Sequence, residues 1–104
     1  MYYKIVAIKD LNGEDKKEQE AVNRIGRVIS VNPYDIELNC SVFLECVYPS
    51  YFKSIITSHV TNIEPTVVYP NCNIKKFIMT TENSKYYFEE TEFNGETYSI
   101  KSEN

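Results

Sequence analysis

The stretch FIMTTENSKYYFEE, residues 77–90, contains two runs of β-forming residues separated by a short polar segment. The side chains of Asn83 and Ser84 in that segment can hydrogen-bond to nearby backbone groups, which favours a tight turn. The two runs therefore predict an antiparallel hairpin with strands over 75–82 and 85–93.

Alternation of side chains supports strand structure in this hairpin and elsewhere, because successive side chains of a strand point to opposite faces. In the hairpin this rule places Tyr86 and Phe88 on one face and Tyr87 on the other. Four further runs have the composition and length of strands: YYKIVAIK (2–9), RIGRVISV (24–31), IELNCSVFLECVY (36–48) and IITSHVTNIE (55–64). In the third of them, one face carries Val42, Leu44, Cys46 and Tyr48, and the other carries Ser41, Phe43, Glu45 and Val47.

The connections between these runs differ in composition. LNGEDKKEQEAVN (11–23) is polar and charged, which predicts a long exposed first loop or a short helix over 14–21. Segment 65–73 contains two prolines that exclude a central strand, so we expect a connection with at most an edge strand. Gly26 lies inside the second run, where a glycine favours a β-bulge that lets a small sheet curl.

The C-terminal segment contains the dipeptide Asn94–Gly95, a strong hairpin signal because both residues tolerate positive φ. It predicts that 96–100 folds back onto 86–93. We expect residues 91–104 to form a C-terminal hairpin or a partly disordered acidic tail. Taken together, five to seven short strands predict an all-β fold, a small antiparallel barrel or sandwich in a single domain over 1–104.

Size, composition and charge restrict the class of protein. A chain of 104 residues can bury roughly 65% of its unfolded surface, and an apolar content of 42% is typical of folded proteins. The start of the chain lacks the pattern of a signal peptide, so we expect a cytoplasmic protein with no membrane association. The net charge is −4, and the excess of acidic residues falls within 82–104.

The segments YKIVAI, RIGRVISV, TSHV (57–60) and TTENSKYYF (80–88) follow one another in an order that resembles a layout found in a family of small proteins. These are the SH3-like barrel proteins of Gram-positive bacteria and their phages. The resemblance covers most of residues 2–90 and implies an SH3-like barrel, in a family that includes many proteins without assigned activity. The insert at 65–73 and the tail from 91 depart from the layout.

Catalytic and metal-binding chemistry finds little support. The single histidine, His59, follows Ser58 on a predicted strand, where neighbouring side chains point to opposite faces and cannot pair. Cys40, Cys46 and Cys72 complete a Cys3His set with His59, but their spacing lacks the close cysteine pairs of structural zinc sites. No phosphate-loop, dinucleotide or zincin motif occurs. We therefore expect no enzyme activity, no metal and no cofactor.

Nucleic-acid binding is weakly indicated. Small barrels bind single strands through aromatic platforms surrounded by Lys and Arg. The compact basic groups here are Arg24, Arg27, Lys75 and Lys76, in a chain that is acidic overall. A nucleic-acid partner is therefore the least favoured of the alternatives.

The remaining feature is a surplus of aromatic residues in or beside predicted turns, where a small core has no room for all of them. Tyrosine is enriched at recognition surfaces because it offers a large rigid area with a polar tip. The candidate binding residues are Tyr34, Tyr48, Tyr51, Phe52 and Tyr69, and the segment YPSYF (48–52) is the best interaction site.

These observations favour a non-enzymatic protein that binds another protein stoichiometrically. The richness in Asn, Ile, Lys, Glu and Tyr is typical of a gene of low G+C content. A small acidic product of this kind fits a phage or mobile-element inhibitor of a host defence system, similar in role to an anti-CRISPR protein. Two alternatives stay open at this point: an oligomeric small-ligand or nucleotide-binding barrel that acts as a sponge, and a single-stranded nucleic-acid-binding barrel.

Overall fold

A computed structural model describes residues 1–93, and its main element is one antiparallel sheet of seven strands. The strands are β1 (Tyr2–Lys9), β2 (Val28–Ser30), β3 (Phe43–Tyr48), β4 (Ile55–Ile56), β5 (Val60–Val68), β6 (Ile74–Thr81) and β7 (Lys85–Glu90). One α-helix, α1 (Gln19–Arg24), and 3₁₀ helices at Pro33–Asp35 and Tyr51–Lys53 complete the described elements. The hairpin predicted at Asn94–Gly95 and most of the predicted 91–104 tail lie outside the described residues.

The hairpin of β6 and β7 confirms the interpretation of 77–90. Phe77 is paired with Phe88, and Met79 with Tyr86, so one face of the hairpin carries a continuous row of buried side chains. The rings of Phe77 and Phe88 stack with centroids 4.6 Å apart. Tyr87 lies on the opposite, half-buried face. The hairpin therefore supplies one wall of the core.

Strand β1 lies at the centre of the sheet, between β2 and β7. Its side chains Tyr3, Ile5 and Ile8 are buried and pack with residues of β3, β5, β6 and β7 in one hydrophobic cluster. The predicted face of β3 is also confirmed, since Leu44 and Cys46 are buried.

The sheet is all-β and antiparallel as predicted, but it is not closed into a barrel. Its order is β4-β3-β2-β1-β7-β6-β5, so that β4 and β5 are edge strands. Two backbone hydrogen bonds bring the ends of the sheet towards each other: the Asn39 N–H donates to the Val60 carbonyl (2.7 Å), and the Val60 N–H donates to the Cys40 carbonyl (2.9 Å). The sheet is thus curled and open.

The segment between β1 and β2 corrects two predictions. Instead of a long loop, 10–27 contains α1, which begins later than the helix considered over 14–21. Strand β2 is shorter than predicted because 24–27 forms the end of α1 and the turn after it. Gly26 lies in that turn with φ +94°, a conformation that L residues rarely adopt, so it does not form a mid-strand bulge.

The middle of the chain also differs from the prediction. The run 36–48 becomes a strand only from Phe43, after Asn39 adopts a positive φ of 66°. The run 55–64 is divided between the two edge strands of the sheet. Strand β5 continues through Pro65 to Val68, which an edge strand allows because one side of its backbone needs no pairing partner. Among the described residues, no helix has the length and hydrophobicity needed to cross a bilayer.

Candidate functional site

The five predicted aromatic residues form two groups and not a single surface. Tyr51 and Phe52 lie on the 3₁₀ helix between β3 and β4, and Tyr48 ends β3 just before it. Tyr69 lies in the β5–β6 turn, and Tyr34 lies on the Pro33–Asp35 helix, from which its hydroxyl donates a hydrogen bond of 2.5 Å to the Cys72 carbonyl of that turn. The two groups have different surroundings and are described in turn.

The first group belongs to an exposed apolar surface at the edge of the sheet. The ring of Tyr51 lies with its centroid 6.1 Å from that of Phe43, and Phe43 is paired across the strands with Ile56. The exposed fractions are 49% for Phe43, 60% for Tyr51, 94% for Phe52 and 73% for Ile56. These four residues are called the β3–β4 patch. Because β4 is an edge strand, the patch is open both at its surface and along its edge.

Sequence reasoning found half of this patch. Tyr51 and Phe52 were identified from their position in a loop led by Pro49. Phe43 and Ile56 were missed, although alternation had already placed Phe43 on the face opposite Leu44. An aromatic residue on the outward face of a predicted strand was the available signal.

The loop that carries the patch is held by hydrogen bonds within its own backbone and to two neighbouring elements. The Ser54 hydroxyl accepts from the Cys46 N–H (2.9 Å) and donates to the Tyr51 carbonyl (2.6 Å). The guanidinium of Arg27, from the turn after α1, donates to the Lys53 carbonyl (2.8 Å). Surface side chains on an anchored loop lose less conformational entropy when a partner covers them.

The second group, Tyr34 and Tyr69, uses its hydroxyls inside the molecule. The Tyr69 hydroxyl donates to a carboxylate oxygen of Glu90 (3.1 Å), and this hydrogen bond raises the pKa of Tyr69 because it favours the neutral phenol. The Lys75 ammonium lies 6.0 Å from the centroid of the same ring. With the Tyr34 bond to Cys72, these contacts tie the Pro33–Asp35 helix and β7 to the β5–β6 turn. The group therefore has a structural role that the β3–β4 patch lacks.

A polar cleft of about 300 Å³ lies between α1, the β4–β5 connection and the β6–β7 turn. The Arg24 guanidinium in its wall donates to the Tyr86 hydroxyl and pairs with Glu20, both at 2.7 Å. The side chains of Ser58 and Asn83 also line the cleft, and neither forms a hydrogen bond to another group among residues 1–93. The cleft therefore offers both hydrogen-bond donors and acceptors. Its charged lining residues sum to zero, since Lys16 and Arg24 balance Glu18 and Glu20.

The candidate metal and nucleophile residues stay apart. Cys46 is buried and donates from its thiol to the Tyr48 carbonyl, whereas Cys40, Cys72 and His59 are exposed. Within the described part of the chain, no three His, Cys, Asp or Glu side chains are grouped to hold a metal ion.

The predicted basic groups are dispersed as well. Arg24 pairs with Glu20, Lys76 lies 3.7 Å from Glu89, and Lys75 contacts the Tyr69 ring. The Arg27 guanidinium instead donates to the Lys53 carbonyl in the loop of the β3–β4 patch.

No protein-family model, no curated protein and no solved structure matches this chain.

Proposed function

We propose that this chain is a non-enzymatic protein that binds another protein stoichiometrically through the β3–β4 patch. The observation that carries the proposal is the exposure of Phe43 on β3, of Ile56 on the edge strand β4, and of Tyr51 and Phe52 on the anchored loop between these strands. Aromatic side chains bury about 150–250 Å² each, so with their exposed fractions of 49–94% the four side chains together present roughly 500 Å² of mostly apolar surface. A standard interface buries about 800 Å² on each partner, and aromatic side chains at its centre supply much of the affinity.

In its more specific form, the proposal is a cytoplasmic inhibitor from a phage or mobile element that blocks a host defence system, in the manner of anti-CRISPR proteins. Support comes from the small acidic chain, the residue usage typical of low G+C content, and the resemblance to small SH3-like barrel proteins of Gram-positive bacteria and their phages. The β3–β4 patch supports protein binding in general. The more specific role as an inhibitor is supported by size, composition and the resemblance, and not by the patch itself.

The proposal is tested by affinity purification of the tagged full chain from a Gram-positive host. We expect one host protein at a 1:1 ratio, and we expect the double variant Tyr51→Ala, Phe52→Ala to lose it. Leu38→Ala is the control, since Leu38 is a large apolar side chain outside the patch that is 51% exposed. Recovery of the same protein with the double variant, or of no stoichiometric partner, would contradict the proposal.

A second candidate, small-ligand binding, is favoured by the polar cleft beside Arg24. Its volume of about 300 Å³ lies at the lower end of the range for ligand sites, about 300–1,000 Å³. A thermal-shift screen with nucleotides and nucleosides tests it, because a ligand that binds only the folded state raises the Tm. A rise in Tm that Asn83→Ala abolishes would support this candidate. The absence of any shift at millimolar ligand would remove it.

A further inference from the structure

A groove is bordered by Lys53, on the loop that carries Tyr51 and Phe52 of the β3–β4 patch. It has a volume of about 550 Å³ and runs between the turn after α1 and the loop after β3. Its lining includes Ile25 and Arg27 from the turn and Tyr48, Pro49 and Lys53 from the loop. Because Lys53 directly follows Phe52 on the same 3₁₀ helix, groove and patch share one loop.

The charges of the groove have one sign. Its charged lining residues are Arg27 and Lys53, and no carboxylate from residues 1–93 lines it. Neither cation belongs to an ion pair within residues 1–93, in contrast to Arg24 and Lys76. Arg27 donates one of its hydrogen bonds to the Lys53 carbonyl, which leaves other N–H groups of a five-donor guanidinium available. In a chain of net charge −4, this is a local site of positive potential.

Part of the remaining lining is apolar, with Asn23 as an additional polar side chain. Ile25 is 42% exposed although it is a large hydrophobic residue, and it lies beside Pro49 and the half-buried ring of Tyr48. An apolar side chain seated here would remove Ile25 from water. The groove thus combines two cations with an apolar wall.

From this combination we infer that the groove binds an acidic segment of the partner protein, with carboxylates on Arg27 and Lys53 and an adjacent apolar side chain against Ile25 and Tyr48. The inference rests on the proposed protein-binding function and names the chemistry of the partner. The planar fork of Arg27 matches a carboxylate, and the segment continues over Lys53 onto the β3–β4 patch. Two cations are too few to hold a nucleic-acid strand, whose binding relies on many phosphate contacts.

The test begins with a displayed library of random twelve-residue peptides selected on the immobilised full chain. Enriched peptides are then synthesised with a fluorescent label, and their Kd is measured by anisotropy. We expect Asp or Glu next to an aliphatic or aromatic residue in the enriched sequences. A charged hydrogen bond lost from the complex corresponds to about a tenfold weaker Kd, so Lys53→Gln and Arg27→Gln should each weaken binding by about that factor.

Lys17→Gln is the control, since Lys17 is an exposed cation of the first loop outside the groove. Lys53→Gln keeps the backbone carbonyl that Arg27 contacts and removes a side chain that forms no hydrogen bond or ion pair in the described residues, so it preserves the fold even if Arg27→Gln does not. Raising the salt concentration should weaken peptide binding to the unaltered chain and affect the Lys53→Gln variant less.

The outcomes separate this inference from the proposed function. Enriched peptides without acidic residues would overturn the inference that the groove binds an acidic segment. Acidic peptides that bind the Lys53→Gln variant with the same Kd as the unaltered chain would also overturn it. If those same peptides lose affinity for the Tyr51→Ala, Phe52→Ala variant, protein binding at the patch still stands. A library that yields no enriched peptide would count against both. Retention of a single-stranded DNA 20-mer that Lys53→Gln abolishes would overturn the inference by assigning the groove to phosphates.

Discussion

The hydroxyl of Tyr3 on β1 donates a hydrogen bond of 2.5 Å to the backbone carbonyl of Ile74, the first residue of β6. Strand β7 lies between β1 and β6, so this bond joins two strands that are not neighbours in the sheet. Tyr3 is fully buried, and its ring meets that of Phe77 edge to face at a centroid distance of 5.0 Å. The bond therefore holds β6 against the central strand β1 across the core.

Replacing Tyr3 by Phe should lower the free energy of unfolding. The substitution keeps the ring but leaves the Ile74 carbonyl without its buried partner, a loss of about 1–3 kcal/mol. Urea denaturation followed by circular dichroism measures it. Tyr87→Phe is the control because the Tyr87 hydroxyl forms no hydrogen bond among the described residues, and it should change stability by less than about 0.5 kcal/mol. Equal losses for the two variants would contradict a role for the Tyr3 bond.

The same residue should make stability depend on pH in alkaline solution. Burial, followed by the negative charge of Glu90 and by Tyr34 and Tyr69, raises the pKa of Tyr3 to about 12, whereas the value in an unfolded chain is about 10. Between these values the unfolded chain releases the proton and the folded chain retains it, so stability falls as pH rises through this window. Below about pH 9 both states are neutral and the contribution of Tyr3 is constant.

Comparison with Tyr3→Phe isolates this effect from the titration of other residues. The difference in free energy of unfolding between the unaltered chain and the variant should be the same at pH 7 and pH 8 and should shrink between pH 10 and pH 12. Urea denaturation at these values provides the measurement. A difference that is constant or grows across the alkaline range would show that the pKa of Tyr3 is not raised.

The turn between β6 and β7 depends on one buried hydroxyl. The Thr81 side chain accepts hydrogen bonds from the N–H groups of Asn83 (3.3 Å) and Ser84 (3.1 Å) and donates to the Ser84 carbonyl (3.3 Å). Thr81→Val keeps the shape and should cost about 1–3 kcal/mol, because buried polar groups of the turn lose their partner. The neighbouring Thr80, whose hydroxyl forms no hydrogen bond among residues 1–93, provides the control Thr80→Val. A loss for Thr80→Val as large as that for Thr81→Val would contradict the assignment.

The sequence predicted best those elements whose structure is decided locally. The β6–β7 hairpin has alternating side chains and a turn that its own residues cap, and β1 and the buried face of β3 follow from alternation alone. The region around Gly26 could not be predicted in this way, since Ile25, Ile29 and Val31 alternate as in a strand. The Gly26 N–H instead donates to the Ile5 carbonyl, a contact with a residue of β1 that is 21 positions earlier in the chain.

In the candidate site, too, features decided by local sequence could be predicted and features decided by distant contacts could not. Exposure of Tyr51 and Phe52 follows from a short loop that cannot bury them, so sequence was sufficient. The hydroxyl contacts of Tyr34 with Cys72 and of Tyr69 with Glu90 join segments that are distant in the sequence. No local sequence pattern distinguishes tyrosines with such contacts from tyrosines that are available to a partner. The contact between Arg27 and Lys53 is equally non-local, which is why the groove had no signal in the sequence.

Replacement by alanine should destabilise the protein strongly at Phe88 and hardly at all at Phe52. Phe88 is 2% exposed and stacks on Phe77, so Phe88→Ala should cost about 3–5 kcal/mol. Phe52 is 94% exposed, and Phe52→Ala should change the free energy of unfolding by less than about 0.5 kcal/mol. Chemical denaturation of both variants checks this pair. If Phe52→Ala costs more than about 1 kcal/mol, its ring packs within the molecule, and loss of a partner in that variant would report unfolding and not a lost contact.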